Sequence, residues 1–112
     1  MNNEIKKINN LSDIEAVVEF KDEDGQPMGI PEFDFEIIYF VKEGVSVSCG
    51  RFNGQFTPNI SVIGNELHAF FDKPRLGRGV LRTRKTYHIP NQYFPDRERT
   101  VVVDGITNTI IE

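Results

Sequence analysis

The 112-residue chain has a single cysteine, Cys49, and no tryptophan. One thiol cannot close a disulfide within the chain, so stability must come from packing, as in proteins that fold in a reducing cytoplasm. No apolar run approaches the roughly 20 residues that a membrane-spanning helix requires. The first ten residues, MNNEIKKINN, lack the apolar centre of a secretory signal. We therefore expect a protein of the cytoplasm, without a signal peptide and without a membrane partner.

Motifs of catalysis and metal binding are also missing. Cys49, His68 and His88 are not connected by any local motif of a nucleophile and its base. Cys49 belongs to an apolar strand face, so we expect it to be buried and to pack as a small hydrophobic residue. Together the cysteine and the two histidines supply three ligands, whereas a structural zinc site uses four. The acidic turn Asp22–Gly25 lacks the later ligands of an EF-hand loop, and Leu76–Gly79 completes no phosphate-binding loop. The sequence therefore predicts no catalytic residue, no metal and no cofactor, and the chain is not expected to be an enzyme.

Strand patterns fill most of the chain. Residues 14–20 alternate apolar and polar side chains, and residues 33–42 are partly apolar on both faces, which is typical of a strand inside a sheet. Residues 53–54 are Asn-Gly, the strongest short turn signal, and residues 80–89 form a long strand that ends at Pro90. We predict an all-β protein, an antiparallel immunoglobulin-like β-sandwich of about seven to eight strands. A small β-barrel is the alternative.

The same patterns divide the chain into an arm and a domain. Residues 1–12 are polar enough to form a flexible N-terminal arm, and residues 13–112 are expected to form a single β-sandwich domain. Residues 59–63 and 66–72 predict a hairpin around a tight turn. The C-terminal β-branched runs, 100–103 and 107–111, indicate either another hairpin or one bent strand with a bulge at its glycine.

The charge of the chain changes sign near its middle. Residues 1–50 carry eleven acidic residues against four lysines, whereas residues 51–99 carry nine basic residues against four acids. On a straight strand, Arg78, Arg82 and Arg84 would share one face. Such a face either pairs with the acids Asp34 and Glu36 of a neighbouring strand or contacts phosphates. The candidate binding residues are these arginines, one further arginine and two outward phenylalanines: Arg75, Arg78, Arg82, Arg84, Phe40 and Phe70.

One stretch of the chain resembles a known family. It consists of residues 65–81 (NELHAFFDKPRLGRGVL), the strand ending at Ile89-Pro90 and the turn Phe94-Pro95-Asp96, with Phe33-Asp34-Phe35 upstream. Over residues 14–105 it is similar to the amino-terminal β-sandwich domain of upper baseplate and fibre-attachment proteins from phages and prophages of gut Bacteroidetes. Two features depart from that pattern: Arg97 stands where a glycine is expected, and the strand 80–89 is more basic.

The resemblance implies a structural protein of a phage virion that is assembled in the bacterial host cytoplasm. It implies docking to other tail or baseplate proteins, or to further copies of the chain as a homo-oligomer, and it carries over no catalytic residue. Two alternatives remain open from the residues themselves. One is a nucleic-acid-binding module that uses the basic strand 78–88, and the other is a carbohydrate-binding sandwich that presents tyrosines.

Overall fold

A computed structural model describes residues 4–112 as strands and loops. No helix long and apolar enough to cross a membrane occurs among these residues. Eleven strands follow one another along the chain: β1 (Lys6–Ile8), β2 (Ile14–Val17), β3 (Phe20–Lys21), β4 (Pro27–Met28), β5 (Asp34–Phe40), β6 (Ser46–Phe52), β7 (Gln55–Phe56), β8 (Ile60–Ile63), β9 (Glu66–Phe71), β10 (Gly79–Pro90) and β11 (Glu98–Ile111). The predicted all-β class is confirmed.

The strands form two main sheets around one core. The large sheet has the order β1-β11-β10-β5-β6-β7, the small sheet has the order β2-β9-β8, and β3 pairs with β4. The large sheet is curled into a half-barrel. Its inward side chains face those of the small sheet, and the rings of Tyr39 on β5 and Phe71 on β9 lie 5.4 Å apart. Buried core residues include Phe35, Ile37 and Tyr39 of β5 and Leu67, Ala69 and Phe71 of β9.

The segment 57–59 connects the large sheet to the small one through Thr57 and Asn59. Asn59 donates a hydrogen bond from Nδ2 to the Ser48 carbonyl over 3.0 Å, and its backbone carbonyl accepts one from the Phe70 amide over 2.9 Å. Thr57 donates from its amide to the Gly50 carbonyl and accepts at Oγ1 from the Gly50 amide. These bonds satisfy backbone groups at the edge of β6 that would otherwise stay unpaired, so the segment 57–59 continues the curl from β6 to β9.

The first and last strands lie side by side. Lys6–Ile8 of β1 runs parallel to Thr109–Ile111 of β11, while every other strand pair is antiparallel across residues 4–112. The prediction of purely antiparallel pairing is therefore wrong at this pair. The contact is extended by a hydrogen bond of 3.0 Å from the Asn10 amide to the Glu112 carbonyl. Residues 6–10 of the predicted arm 1–12 therefore lie beside the end of β11, and residues 1–3 lie outside the described residues.

The hairpins and the Asn-Gly turn that the sequence predicted are present in the structure. The hairpins β5–β6 and β8–β9 both form. Asn53 and Gly54 have φ angles of 52° and 80° and connect β6 to β7. An Asn-Gly pair suits this connection because both residues tolerate the left-handed conformation that a tight hairpin turn requires. The first predicted strand, in contrast, is divided: β2 ends at Val17, and β3 begins at Phe20 in a separate pairing.

The C-terminal runs form one bent strand, which was one of the two predicted alternatives. The extra residues of β11 come after Ile106 and not at Gly105. Val80 is opposite Ile110 while Arg82 is opposite Ile106, so β11 has four steps where β10 has two. Thr107 donates a hydrogen bond of 2.8 Å from Oγ1 to the Leu81 carbonyl at this point. The extra residues bend β11 and move its last part beside β1.

Candidate functional site

The face of the large sheet that points away from the core has no cover among residues 4–112, and we call it the outer face. It is built from alternate residues of β6, β5, β10 and β11. In the cross-strand register, Arg82 lies between Phe40 and Ile106, and Arg84 lies between Ile38 and Asp104. The outer face contains Asp34, Glu36, Ile38 and Phe40 of β5, Arg82, Arg84, Thr86 and His88 of β10, and Val102, Asp104 and Ile106 of β11.

Arg84 is the best-positioned cation of the outer face. Its Nε donates to Oδ1 of Asp104 over 2.8 Å, and its guanidinium carbon lies 5.6 Å from the centroid of the Phe40 ring. The hydrogen bond to Asp104 raises the pKa of Arg84. The cation–π contact with the ring and the bond to Asp104 together restrict the guanidinium, and the bond to Asp104 uses only the N–H group of Nε. A shallow depression of about 170 Å³ adjoins this pair, lined by Ile38, Phe40, Lys42, Glu43, Gly44, Ser46 and Arg84.

The predicted partners of the basic strand require correction. Arg84 pairs with Asp104 on β11, and not with the acids of β5. Glu36 is opposite Thr86, and Asp34 is opposite His88. The cause is the register, which places the acidic end of β5 beside the uncharged and histidine positions of β10 rather than beside its arginines.

Asp34 instead holds the turn between β6 and β7. Its two carboxylate oxygens accept hydrogen bonds from the amides of Asn53 and Gly54, over 2.8 and 3.0 Å. The bond from Gly54 contributes most to lowering the pKa of Asp34, and the nearby Arg51 guanidinium lowers it further. This acid therefore supports local structure at one end of the outer face.

The arginines do not form one line. Arg82 and Arg84 lie on the outer face, but Arg78 precedes β10, and the register between β10 and β11 shifts between Val80 and Arg82. Arg75 lies in the loop after β9 with a φ of 50°. The straight face predicted from Arg78 to His88 is therefore limited to the part that begins at Arg82.

Phe70 lies on the opposite side of the molecule from Phe40, on the outward face of the small sheet. Its ring stacks on His68 with centroids 6.5 Å apart and is 40% exposed. His68 Nδ1 lies 2.9 Å from Oε2 of Glu15 on β2, and its Nε2 lies 3.4 Å from Oε1 of Glu66. Sequence reasoning missed this cluster because Glu15 and His68 meet only through the pairing of β2 with β9.

A second depression, of about 240 Å³, opens at the far end of β10. It is lined by Glu32, Phe33, Asp34, Arg51, Gly54, His88, Pro90 and Glu98. His88 Nδ1 lies 3.4 Å from Oε2 of Glu98. No group of three or more His, Cys, Asp or Glu side chains is placed to hold a metal ion among residues 4–112. The groups that converge here are a histidine, an arginine and three carboxylates, of which Asp34 binds the Asn53 and Gly54 amides and Glu98 lies beside His88.

Cys49 lies in the core, as the sequence predicted. Its side chain on β6 is 1% exposed, and burial raises its pKa to about 12. Because the thiolate is the reactive form, we expect the native protein to react with a thiol reagent such as 5,5′-dithiobis(2-nitrobenzoate) at least about 100-fold more slowly than the unfolded chain. The rates are measured at pH 8 with and without 6 M guanidinium chloride. Equal rates would show that this part of the core opens readily.

The chain was compared with protein-family models, with curated proteins and with solved structures, and none of them matches it.

Proposed function

We propose that this chain is a non-enzymatic structural module that docks other proteins through the outer face. The observation that carries the proposal is the uncovered row around Phe40, Arg82 and Arg84. It combines half-buried aromatic and aliphatic side chains with two guanidinium groups, of which that of Arg84 is held by Asp104 and Phe40, and aromatic and arginine side chains dominate the binding energy of protein interfaces. The depressions, of about 170 and 240 Å³, are smaller than the roughly 300–1,000 Å³ typical of small-molecule pockets.

Within this proposal, the chain is a phage tail or baseplate component that assembles in the cytoplasm of its bacterial host and remains in the virion. Its partners are neighbouring tail proteins or further copies of itself. The immunoglobulin-like type of sandwich belongs to the same proposal. It is supported by the face-to-face contact of the two sheets through Tyr39 and Phe71, whereas the curl of the large sheet favours the small-barrel alternative.

The two other binding functions have less support. For nucleic acid, Arg84 is already paired with Asp104, and the nearby Tyr87 ring is buried and therefore cannot stack on a base. For carbohydrate, the sequence required outward tyrosines, and both Tyr39 and Tyr87 are buried in the core. Only Tyr93, in the loop after β10, is exposed.

The test is co-expression of the chain with the products of the genes that flank its own gene. We expect a complex of defined stoichiometry on size-exclusion chromatography with light scattering. Phe40→Ser should weaken this complex by about tenfold or more, because truncating an interface aromatic removes buried area and the ring that contacts Arg84. Phe70→Ser, which changes the outward face of the small sheet, is the matched control and should leave the affinity unchanged.

Two outcomes would contradict the proposal. One is the absence of a complex with any flanking gene product. The other is a complex that Phe70→Ser weakens while Phe40→Ser does not, which would assign docking to the small sheet. Salt-sensitive retention on DNA, lost on Arg82→Glu, would favour the nucleic-acid alternative instead.

A further inference from the structure

The large sheet has a long border that no described strand covers. β11 pairs with β10 along most of its length, but β1 pairs only with Thr109–Ile111. Asn108 is also engaged, because its Nδ2 donates to the Glu4 carbonyl over 2.8 Å. We call residues 98–106 of β11 the free edge, since no backbone hydrogen bond reaches their outer side from residues 4–112. An unpaired row of N–H and C=O groups is a template for another strand.

The composition of the free edge suits strand addition. Its centre reads Thr-Val-Val-Val, and it contains no proline that would interrupt a ladder. Val102 and Ile106 point to the outer face and are 55% and 68% exposed. A second strand beside β11 would cover part of both side chains, so the apolar gain adds to the backbone hydrogen bonds.

Charges on the free edge do not repel a neighbour, because each has a partner within its own chain. Asp104 binds Arg84 over 2.8 Å, and Glu98 lies 3.4 Å from His88. Arg99 binds Glu23, the nearest pair of atoms being 2.6 Å apart. Charged residues often protect an edge strand from association, but here they are turned toward groups of the same molecule.

The free edge is also complementary to itself. Two antiparallel copies related by a twofold axis perpendicular to the sheet pair residues of the same face. An axis at Val102, the midpoint of residues 98–106, pairs Val102 with itself and Thr100 with Asp104, so a hydroxyl meets a carboxylate. It opposes no two like charges. An axis at Val101 would set Glu98 against Asp104, and an axis at Val103 would extend the pairing into Asn108, which already binds the Glu4 carbonyl.

We propose that two copies of this chain associate by antiparallel pairing of their free edges about Val102, which joins the two six-stranded sheets into one of twelve strands. The inference rests on the proposed function in taking the chain as an interaction module, but it uses the border of the sheet rather than the row around Phe40. It names a second copy as the partner and β11 as the element that binds it.

The first test is the solution mass of the full chain by sedimentation equilibrium, from low micromolar to millimolar concentration. We expect a species of twice the 12.8 kDa chain mass. Val102→Lys places two ammonium groups opposite each other at the axis and should raise the dissociation constant at least about tenfold. Val62→Lys is the matched control, because Val62 is 48% exposed on β8, an edge strand of the small sheet. It should leave the dimer unchanged.

A charge exchange separates a lost interface from a damaged fold. Val102→Lys and Val102→Glu should each be monomeric alone, with native circular dichroism, and should form a heterodimer when mixed. As a second measurement, Val102→Cys should form an intermolecular disulfide under mild oxidation, because directly opposed residues in antiparallel strands have suitable spacing. Cys49 is buried and does not compete, and Val62→Cys should remain uncrosslinked.

A wild-type monomer at all concentrations would overturn this inference, as would a dimer that Val102→Lys leaves intact or that the mixed variants do not restore. These results are independent of the docking test. If the chain forms a dimer that Val102→Lys weakens, but binds no flanking gene product, the dimer inference stands and the proposed function fails. If the chain is instead a monomer at every concentration, but forms a complex with a flanking gene product that Phe40→Ser weakens, the proposed function stands and the dimer inference fails.

Discussion

Replacing Gly50 by alanine is expected to lower the free energy of unfolding by about 2–4 kcal/mol. A Cβ at this position on β6 would overlap the backbone oxygen of Phe35 and would lie 3.1 Å from Cα of Glu36. The backbone of β5 cannot shift to make room for the Cβ, because β5 is hydrogen-bonded to β6 on one side and to β10 on the other. The close approach of the two backbones therefore depends on the missing side chain.

Urea denaturation followed by circular dichroism measures the effect, and Gly29→Ala is the control. Gly29 has an ordinary φ, and a Cβ there would meet no atom within 4 Å. The control should therefore change stability by no more than about 0.5 kcal/mol. Equal effects of the two substitutions would show that β5 and β6 can separate at Gly50 without cost.

Truncating Phe35 to alanine is expected to cost about 3–5 kcal/mol, a large part of the stability of a domain of this size. The side chain is 0% exposed and lies on the inward face of β5. Its ring packs edge-on against Phe20, with centroids 5.2 Å apart, and so connects the β3–β4 pair to the large sheet. Removing it leaves a cavity and an unsupported hairpin.

Differential scanning calorimetry and urea titration should both show this loss, with Phe94→Ala as the reference. Phe94 lies in the loop before β11 and is 44% exposed, so its truncation should change stability by about 0.5 kcal/mol or less. A loss below about 1.5 kcal/mol for Phe35→Ala would indicate that the surrounding side chains collapse into the cavity.

Features that depend on neighbouring residues were predictable from the sequence. The period of two along residues 33–42 identified β5 and its inward side chains, because alternate residues of a strand face opposite sides. The Asn53-Gly54 turn followed from backbone sterics alone. The burial of Cys49 followed from its place in an apolar strand pattern.

Features that depend on which strands meet were not predictable in this way. The sequence contained no signal for the parallel pairing of β1 with β11, or for Asp104 as the partner of Arg84, since both join residues far apart in the chain. Arg78 was assigned to a straight strand because a register shift leaves no mark in the period of two. The position of Phe40 was correctly inferred as outward, but its cation–π contact with Arg84 required the cross-strand register.

The adjacency of β1 and β11 also has a kinetic meaning. Lys6 and Thr109 are about 100 residues apart in the chain, so their pairing closes almost the longest loop that the fold contains. Folds dominated by such non-local contacts fold in roughly milliseconds to seconds rather than microseconds. During synthesis at roughly 5–20 residues per second, β1 emerges several seconds before the strand beside which it lies. Ile8 therefore stays without its native neighbours until translation has passed β11, and β1 is among the last strands to join the sheet.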